Sequence, residues 1–452
     1  MPRAGTLSVP FSAGSAHAVA AYEAALDRFL ACSGDPLAVL EPALAAEPGF
    51  AAGHLLVAGL AVAAWDKRSF PLLRRSLAAM LPLAASANER ERAHFAAARA
   101  WLAGEHRKVA GQYAAIVREW PGDTLALRLT QAACVFVGRP GGHLQVVAPA
   151  LATWRPEMPG YEHVLAMHAY ALAESGDGAR AEESGRRAAM LRPRHPFAIH
   201  AVAHALLDRG RAAEGAKWLA ESAADWAGIG GLARHLAWHD ALFQLELGRI
   251  DRALAIFDAS SRKSTVAGSA SDAGDDAAFL WRLELEGVDV GERWRPIADL
   301  WAERAGDAFW PLLDVHAMMA LAAGGRDAEA GELIRLMESA AKGCTRGAGV
   351  VREVALPAAR AVAAFARGQY ARAVDLAAPL RSDLWRLGGS RIQRDALDLM
   401  VLEAAIRAGR GRLARAIVAE RKAAGPLTPR ARVQAARAGV LTDAAARVRA
   451  AA

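Results

Sequence analysis

YEHVLAMHAYALAESGDGARAEESGRRAAMLRPRHPFAIHAVAHALLDRG, residues 161–210, decides how the chain folds. A mainly apolar stretch of helix length runs into Gly176, and glycine adopts the left-handed conformation that ends a helix at little cost. A second amphipathic stretch, ARAEESGRRAAML, stops at Pro193, because proline cannot continue a helix. A third, FAIHAVAHALLDR, then runs into Gly210.

Outward from this stretch the same punctuation recurs. Gly104 follows ERERAHFAAARAWLA, Gly138 follows LALRLTQAACVFV, and Gly248 follows RHLAWHDALFQLEL. The five glycines stand 34, 38, 34 and 38 residues apart. A helix–turn–helix period near 34 residues is the tetratricopeptide length. One helix pair cannot bury its apolar face alone, whereas stacked pairs share a core. Ala97, Ala171, Ala213 and Ala253 fall where neighbouring helices must approach. The expected fold is therefore an all-α, tetratricopeptide-like solenoid of antiparallel helix pairs.

Around the regular stretch, 89–260, the organisation loosens. Residues 1–88 read as a helical segment, with two or three helices in 15–65 broken by Pro36, Pro42 and Pro48. SSRKSTVAGSASDAGDD (260–276) reads as an exposed loop, either a lid or a tolerated insertion. Residues 277–452 give further pairs around Gly324, Gly368 and Gly409 that close the superhelix.

Composition sets the outer bounds. At 452 residues the chain exceeds one compact core, and 54% apolar content excludes disorder as the main state. The opening MPRAGTLSVPFSAGSAHAV has no apolar signal region, and the weakly polar stretch 50–65 falls short of the roughly 20 residues a bilayer needs. Cys32, Cys134 and Cys344 lie far apart, which suits a reducing compartment. A cytoplasmic location without membrane contact is expected. The net charge of +7 is carried chiefly by arginines near acids, not by a basic stripe interleaved with aromatics, so nucleic acid is not an expected partner. The run from Arg407 through Arg412, Arg415 and Arg421 to Arg449 reads as a solvated helical surface or as a face for phosphate or a partner.

Periodicity leaves certain polar residues unexplained. His200 and His204 lie four apart, hence on one helix face, and His235 and His239 repeat the spacing on the next first helix. Two such pairs could supply four nitrogen ligands to a divalent first-row metal, or act as acid and base. Alternatively they are packed histidines with satisfied nitrogens. Trp238 stands between the second pair; Trp218 and Trp226 read as core. Arg282 and Glu286 suit an ordinary ion pair. Asp314 and His316 interrupt an apolar helix, where a carboxylate needs a partner. LGGSRIQRD (387–395), with Ser390, Gln393, Arg394 and Asp395, reads as an anion-holding helix start or simply a serine cap.

Together HAVAH (200–204), HLAWHDAL (235–242), LWRLELEGVDVGERW (280–294), DVHAMMA (314–320) and LGGSRIQRD resemble the tetratricopeptide repeat protein 38 family. The opening LSVPFSAGSAHAVAAYEAAL, NERERAHFAAARAWLAGEH and WPGDTLALRL are also similar to it, so the resemblance covers nearly the whole chain. It implies a single right-handed helical-repeat fold and a shared polar pocket, and identifies no reaction.

Two functions follow as expectations. In the first, a concave pocket binds a peptide or small polar ligand through His200, His235, Trp238, Arg282, Glu286, His316, Ser390, Gln393, Arg394 and Asp395. In the second, the same pocket is an enzyme's. His204 and His239 then act as acid and base with Asp314 orienting an imidazole, or His200, His204, His235 and His239 hold a metal. A homo-oligomer is compatible with either.

Overall fold

The computed structural model describes residues 3–4, 9–139, 141–230, 232–267, 269–304 and 307–450, with the backbone alone at 3–4, 262–267 and 440–450. Among these the chain is helical throughout, apart from a two-residue antiparallel ladder that pairs Arg3 with Phe11 and Ala4 with Pro10. No described helix is long and apolar enough to cross a membrane.

Each glycine of the register closes a helix as its spacing predicts. The first helices are Glu89–Leu102, Thr124–Phe136, Tyr161–Glu174, Pro196–Asp208 and Ala233–Glu246. They end before Gly104, Gly138, Gly176, Gly210 and Gly248, whose φ values lie between 60° and 88°. In every case the next residue's N–H donates to the carbonyl five positions back, from Glu105 to Ala100, Arg139 to Cys134, Asp177 to Leu172, Arg211 to Leu206 and Arg249 to Gln244, at 2.9–3.0 Å. This closure satisfies an orphan helix carbonyl and reverses the chain. The second helices His106–Glu119, Leu144–Leu151, Gly178–Leu191, Ala212–Glu221 and Ile250–Ala267 follow. Gly325, Gly368 and Gly409 continue the series with positive φ; at the Gly324–Gly325 pair it is the second glycine that turns.

By internal contacts the chain forms two compact units. One comprises Met1–Ala205 with Trp218–Leu236, the other Leu206–Lys217 with Ala237–Ala452. All three boundaries fall inside the 89–260 stretch.

Within the first unit, buried polar groups join helices distant in sequence. Asp123 accepts from Arg90 Nε at 2.6 Å, His94 Nε2 at 2.8 Å and the Ala126 amide at 2.8 Å, and Arg90 also reaches the Tyr22 hydroxyl. Burial alone would raise the Asp123 carboxyl, but Arg90 and His94 outweigh it and hold it well below the ordinary range. A second network runs from Arg192, paired with both Asp27 oxygens, through Asp27 and His163 to His195. The Ala198 amide donates to His195 Nδ1, so the neutral His195 ring donates from Nε2 to His163, which in turn donates to Asp27.

Two expectations need correction. Residues 260–276 are not an exposed loop. The helix Ile250–Ala267 runs into them, Ala270–Leu285 begins within them, and Ser269 caps the second helix by accepting from the Asp272 amide. Ser261, Asp275 and Asp276 are buried, because Ser261 donates to Asp276 and Gln393 donates to Asp275 across the fold. Pro42 also does not break its helix; it sits inside Pro36–Ala46 and removes one intrahelical donor.

Gly104 isolates the cost of the turn, since a Cβ there meets nothing within 4 Å. Gly104→Ala is expected to lose about 1–2 kcal/mol in urea unfolding from the backbone conformation alone. Asp123 sets an acid limit. Its folded pKa lies below the unfolded value of about 4, so its stabilisation is complete at neutral pH and is lost as pH falls below that value. Asp123→Asn should cost about 3–5 kcal/mol at pH 7, and its urea midpoint should depend less on pH between 7 and 3 than the wild type's.

Candidate functional site

The histidine pairs lie on the helices Pro196–Asp208 and Ala233–Glu246. Three of the four rings meet within the first unit. His204 Nε2 stands 2.8 Å from His200 Nε2, and His235 Nε2 stands 3.1 Å from the same atom. His204 Nδ1 contacts Glu174 Oε1 at 3.2 Å. The Tyr170 ring stacks on His200, with centroids 5.6 Å apart, and meets His204 edge-on. His200 and His204 are buried, and His235 is partly so. Such a cluster can share protons or hold a first-row cation. His239, one turn beyond His235 on the same helix, is buried and belongs to the second unit.

In the second unit, residues expected as ligand contacts surround a cavity of about 490 Å³. Arg282, Arg394 and Asp395 line it, together with Arg381, Arg391, Arg421, Trp385 and Glu246, which the sequence reading did not single out. Most of the charges are answered on the spot. Arg421 pairs with Asp395 and Asp398, Arg381 with Asp398 and Glu420, and Arg430 with Glu246 and Glu286. Arg391 lies 3.9 Å from Asp208.

Arg282 differs. Its guanidinium is buried and donates to the main-chain carbonyls of Ala278, at 2.8 Å, and Ile392. No described carboxylate lies within ion-pair distance of it. Burial pushes its pKa down to about 10, only partly opposed by the charge of Asp395, so it stays protonated at neutral pH. The expected ion pair between Arg282 and Glu286 is not formed. Arg282 turns inward, and Glu286 goes to Arg430.

Several other candidates have structural partners. Ser390 and Gln393 form a reciprocal capping box at the start of Arg391–Arg407, and Gln393 also donates to Asp275 at 2.8 Å. Ser390 of LGGSRIQRD therefore acts as a helix cap. Arg394 donates to the Gly388 and Gly389 carbonyls. The Trp238 indole donates to the Asp275 carbonyl at 2.9 Å. Trp218 and Trp226 likewise donate to main-chain carbonyls, of Ile199 and Leu219. Asp314 is buried in the first turn of Pro311–Ala323, where the helix dipole favours a carboxylate. His316, on the same helix, is fully buried and held neutral, its pKa pushed to about 4 by burial.

Of the proposed acid–base group, His204 lies in the first unit, and His239 and Asp314 lie in the second. The C-terminal arginine run is partly paired: Arg407 and Arg437 to Glu403, and Arg421 to Asp395. Arg412 and Arg415 are exposed, and the Arg449 side chain lies outside the described residues. No family model matches the chain.

The capping role of Ser390 can be measured directly. Ser390→Ala should lower stability by about 1 kcal/mol in urea unfolding, and Ser390→Asp should restore most of it.

Proposed function

We propose that this chain is a tetratricopeptide-type helical-repeat protein, a right-handed superhelix related to the tetratricopeptide repeat protein 38 family. Its proposed function is to bind a small carboxylate-bearing ligand, such as a peptide's C-terminus, in the cavity of the second unit. The observation that supports this is Arg282, a buried cation at the cavity wall whose direct partners among the described residues are two carbonyls. A guanidinium fork matches a carboxylate in a bidentate pair, and inside a protein that pair is stronger than in water. An entering anion would supply the charge that the fold leaves out.

The cavity's size favours a small ligand. About 490 Å³ lies within the roughly 300–1,000 Å³ of small-molecule sites and is too little for a packed helix. Trp385 offers an apolar wall for the remainder of the ligand. The arginines already paired to Asp395, Asp398 and Glu420 hold those acids in place and reduce their repulsion of an incoming carboxylate. The three free cysteines suit a cytoplasmic setting.

A second reading is an enzyme that uses the histidines for acid–base or metal-assisted chemistry. Its support is the meeting of three imidazole nitrogens in the first unit.

Isothermal titration with short peptides separates the ligand reading from a cavity that holds only water. A peptide with a free C-terminal carboxylate should bind saturably, and its amidated counterpart should not. Arg282→Met should weaken binding by about 10–100-fold, the worth of a charge-assisted hydrogen bond, with helicity unchanged by circular dichroism. Equal binding of the two peptides, or of the two proteins, would refute the assignment.

A further inference from the structure

The first unit carries a polar cluster that the carboxylate site does not use. His204 Nδ1 sits against Glu174 Oε1 at 3.2 Å; a His204 ring carrying its single hydrogen at Nδ1 donates there and presents a lone pair at Nε2. Facing that lone pair is His200 Nε2 at 2.8 Å, and facing His200 Nε2 from another helix is His235 Nε2 at 3.1 Å. An imidazole nitrogen has one hydrogen or one lone pair, directed in the ring plane. His200 Nε2 can therefore make one linear hydrogen bond with these two neighbours, but not two.

A divalent cation at the meeting point resolves the conflict, since all three nitrogens then act as donors to it. Nitrogen ligands about 2.0–2.1 Å from a tetrahedral zinc stand about 3.3 Å apart. The separations of 2.8 and 3.1 Å from His200 are each within about half an ångström of that spacing. The surroundings suit a metal as well. Glu174 is the carboxylate that orients a ligating imidazole through its far nitrogen, and Tyr170 and Phe197 flank His200 with aromatic rings.

The other group of metal-ligating type in this unit is different. Asp27, Glu162 and His163 lie close together, but the Arg192 guanidinium already contacts both carboxylates. The charge a metal would bring is present there as arginine.

We infer that His200, His204 and His235 bind a zinc ion, with Glu174 as a positioning residue for His204. The site is independent of the proposed carboxylate cavity, because all four residues belong to the first unit and none lines that cavity.

The test uses the full chain, stripped with a chelator and then titrated with zinc in competition with a chromogenic chelator. In parallel, cobalt(II) reports coordination through its visible absorption. Wild-type protein should take up a single zinc ion tightly, and cobalt should give the intense visible bands of a four- or five-coordinate site. His200→Ala and His235→Ala should each lose the zinc. Glu174→Gln keeps the ligands and should retain the stoichiometry while weakening zinc about 10–100-fold. Failure of the wild type to bind zinc overturns the inference whether or not the alanine variants fold. So does zinc uptake that is unchanged in His200→Ala and Glu174→Gln. Carboxylate binding in the second unit is read separately, so either assignment can fail alone.

Discussion

One backbone event organises the molecule. A residue in the left-handed conformation ends each first helix, and its successor's amide closes back on the carbonyl five residues earlier. Because the closure recurs every 34 or 38 residues, it also fixes which side chains occupy equivalent places. Glu174, Asp208 and Glu246 all stand two residues before a turning glycine. Each meets a basic group from elsewhere in the chain: Glu174 meets His204, Asp208 meets Arg391 and Glu246 meets Arg430. The punctuation that shapes the repeat thus also delivers carboxylates to both candidate sites.

Burial then separates structural charges from the remainder. A buried ion costs several kcal/mol unless a partner and further hydrogen bonds compensate it. Asp123 is buried and has Arg90, His94 and an amide, whereas Asp27, half-exposed, pairs with Arg192 and with the buried His163. Arg282 keeps its charge against two carbonyls. The three imidazoles in the first unit place one nitrogen opposite two others. The proposed ligands follow from these two arrangements, an anion at the first and a cation at the second.

The repeat was legible in the sequence because glycine is almost the sole residue that turns a helix end cheaply. Where another residue does so, the signal vanishes: Cys32 takes φ 56° at the end of Ala16–Ala31, and Ser33 closes back on Arg28. The His200/His204 face followed from helical spacing, whereas Glu174 could have been found only by aligning acids against the glycine register. Residues 260–276 look like a loop because serine and aspartate usually satisfy themselves locally. Here Ser269 caps a helix, and Asp275 is satisfied by Gln393, more than a hundred residues away. The Arg282–Glu286 pairing failed for a related reason. Spacing reveals that two side chains share a helix face, but not that one of them faces the interior while Arg430 claims the other.

The central claim is that the Arg282 cavity and the histidine cluster both hold ligands. Native mass spectrometry of the full chain, purified without chelator and supplied with excess zinc and a free-carboxylate peptide, tests it most directly. The account predicts a species carrying one metal and one peptide, with the peptide lost from Arg282→Met and the metal retained. A spectrum showing only the bare chain under those conditions would contradict it.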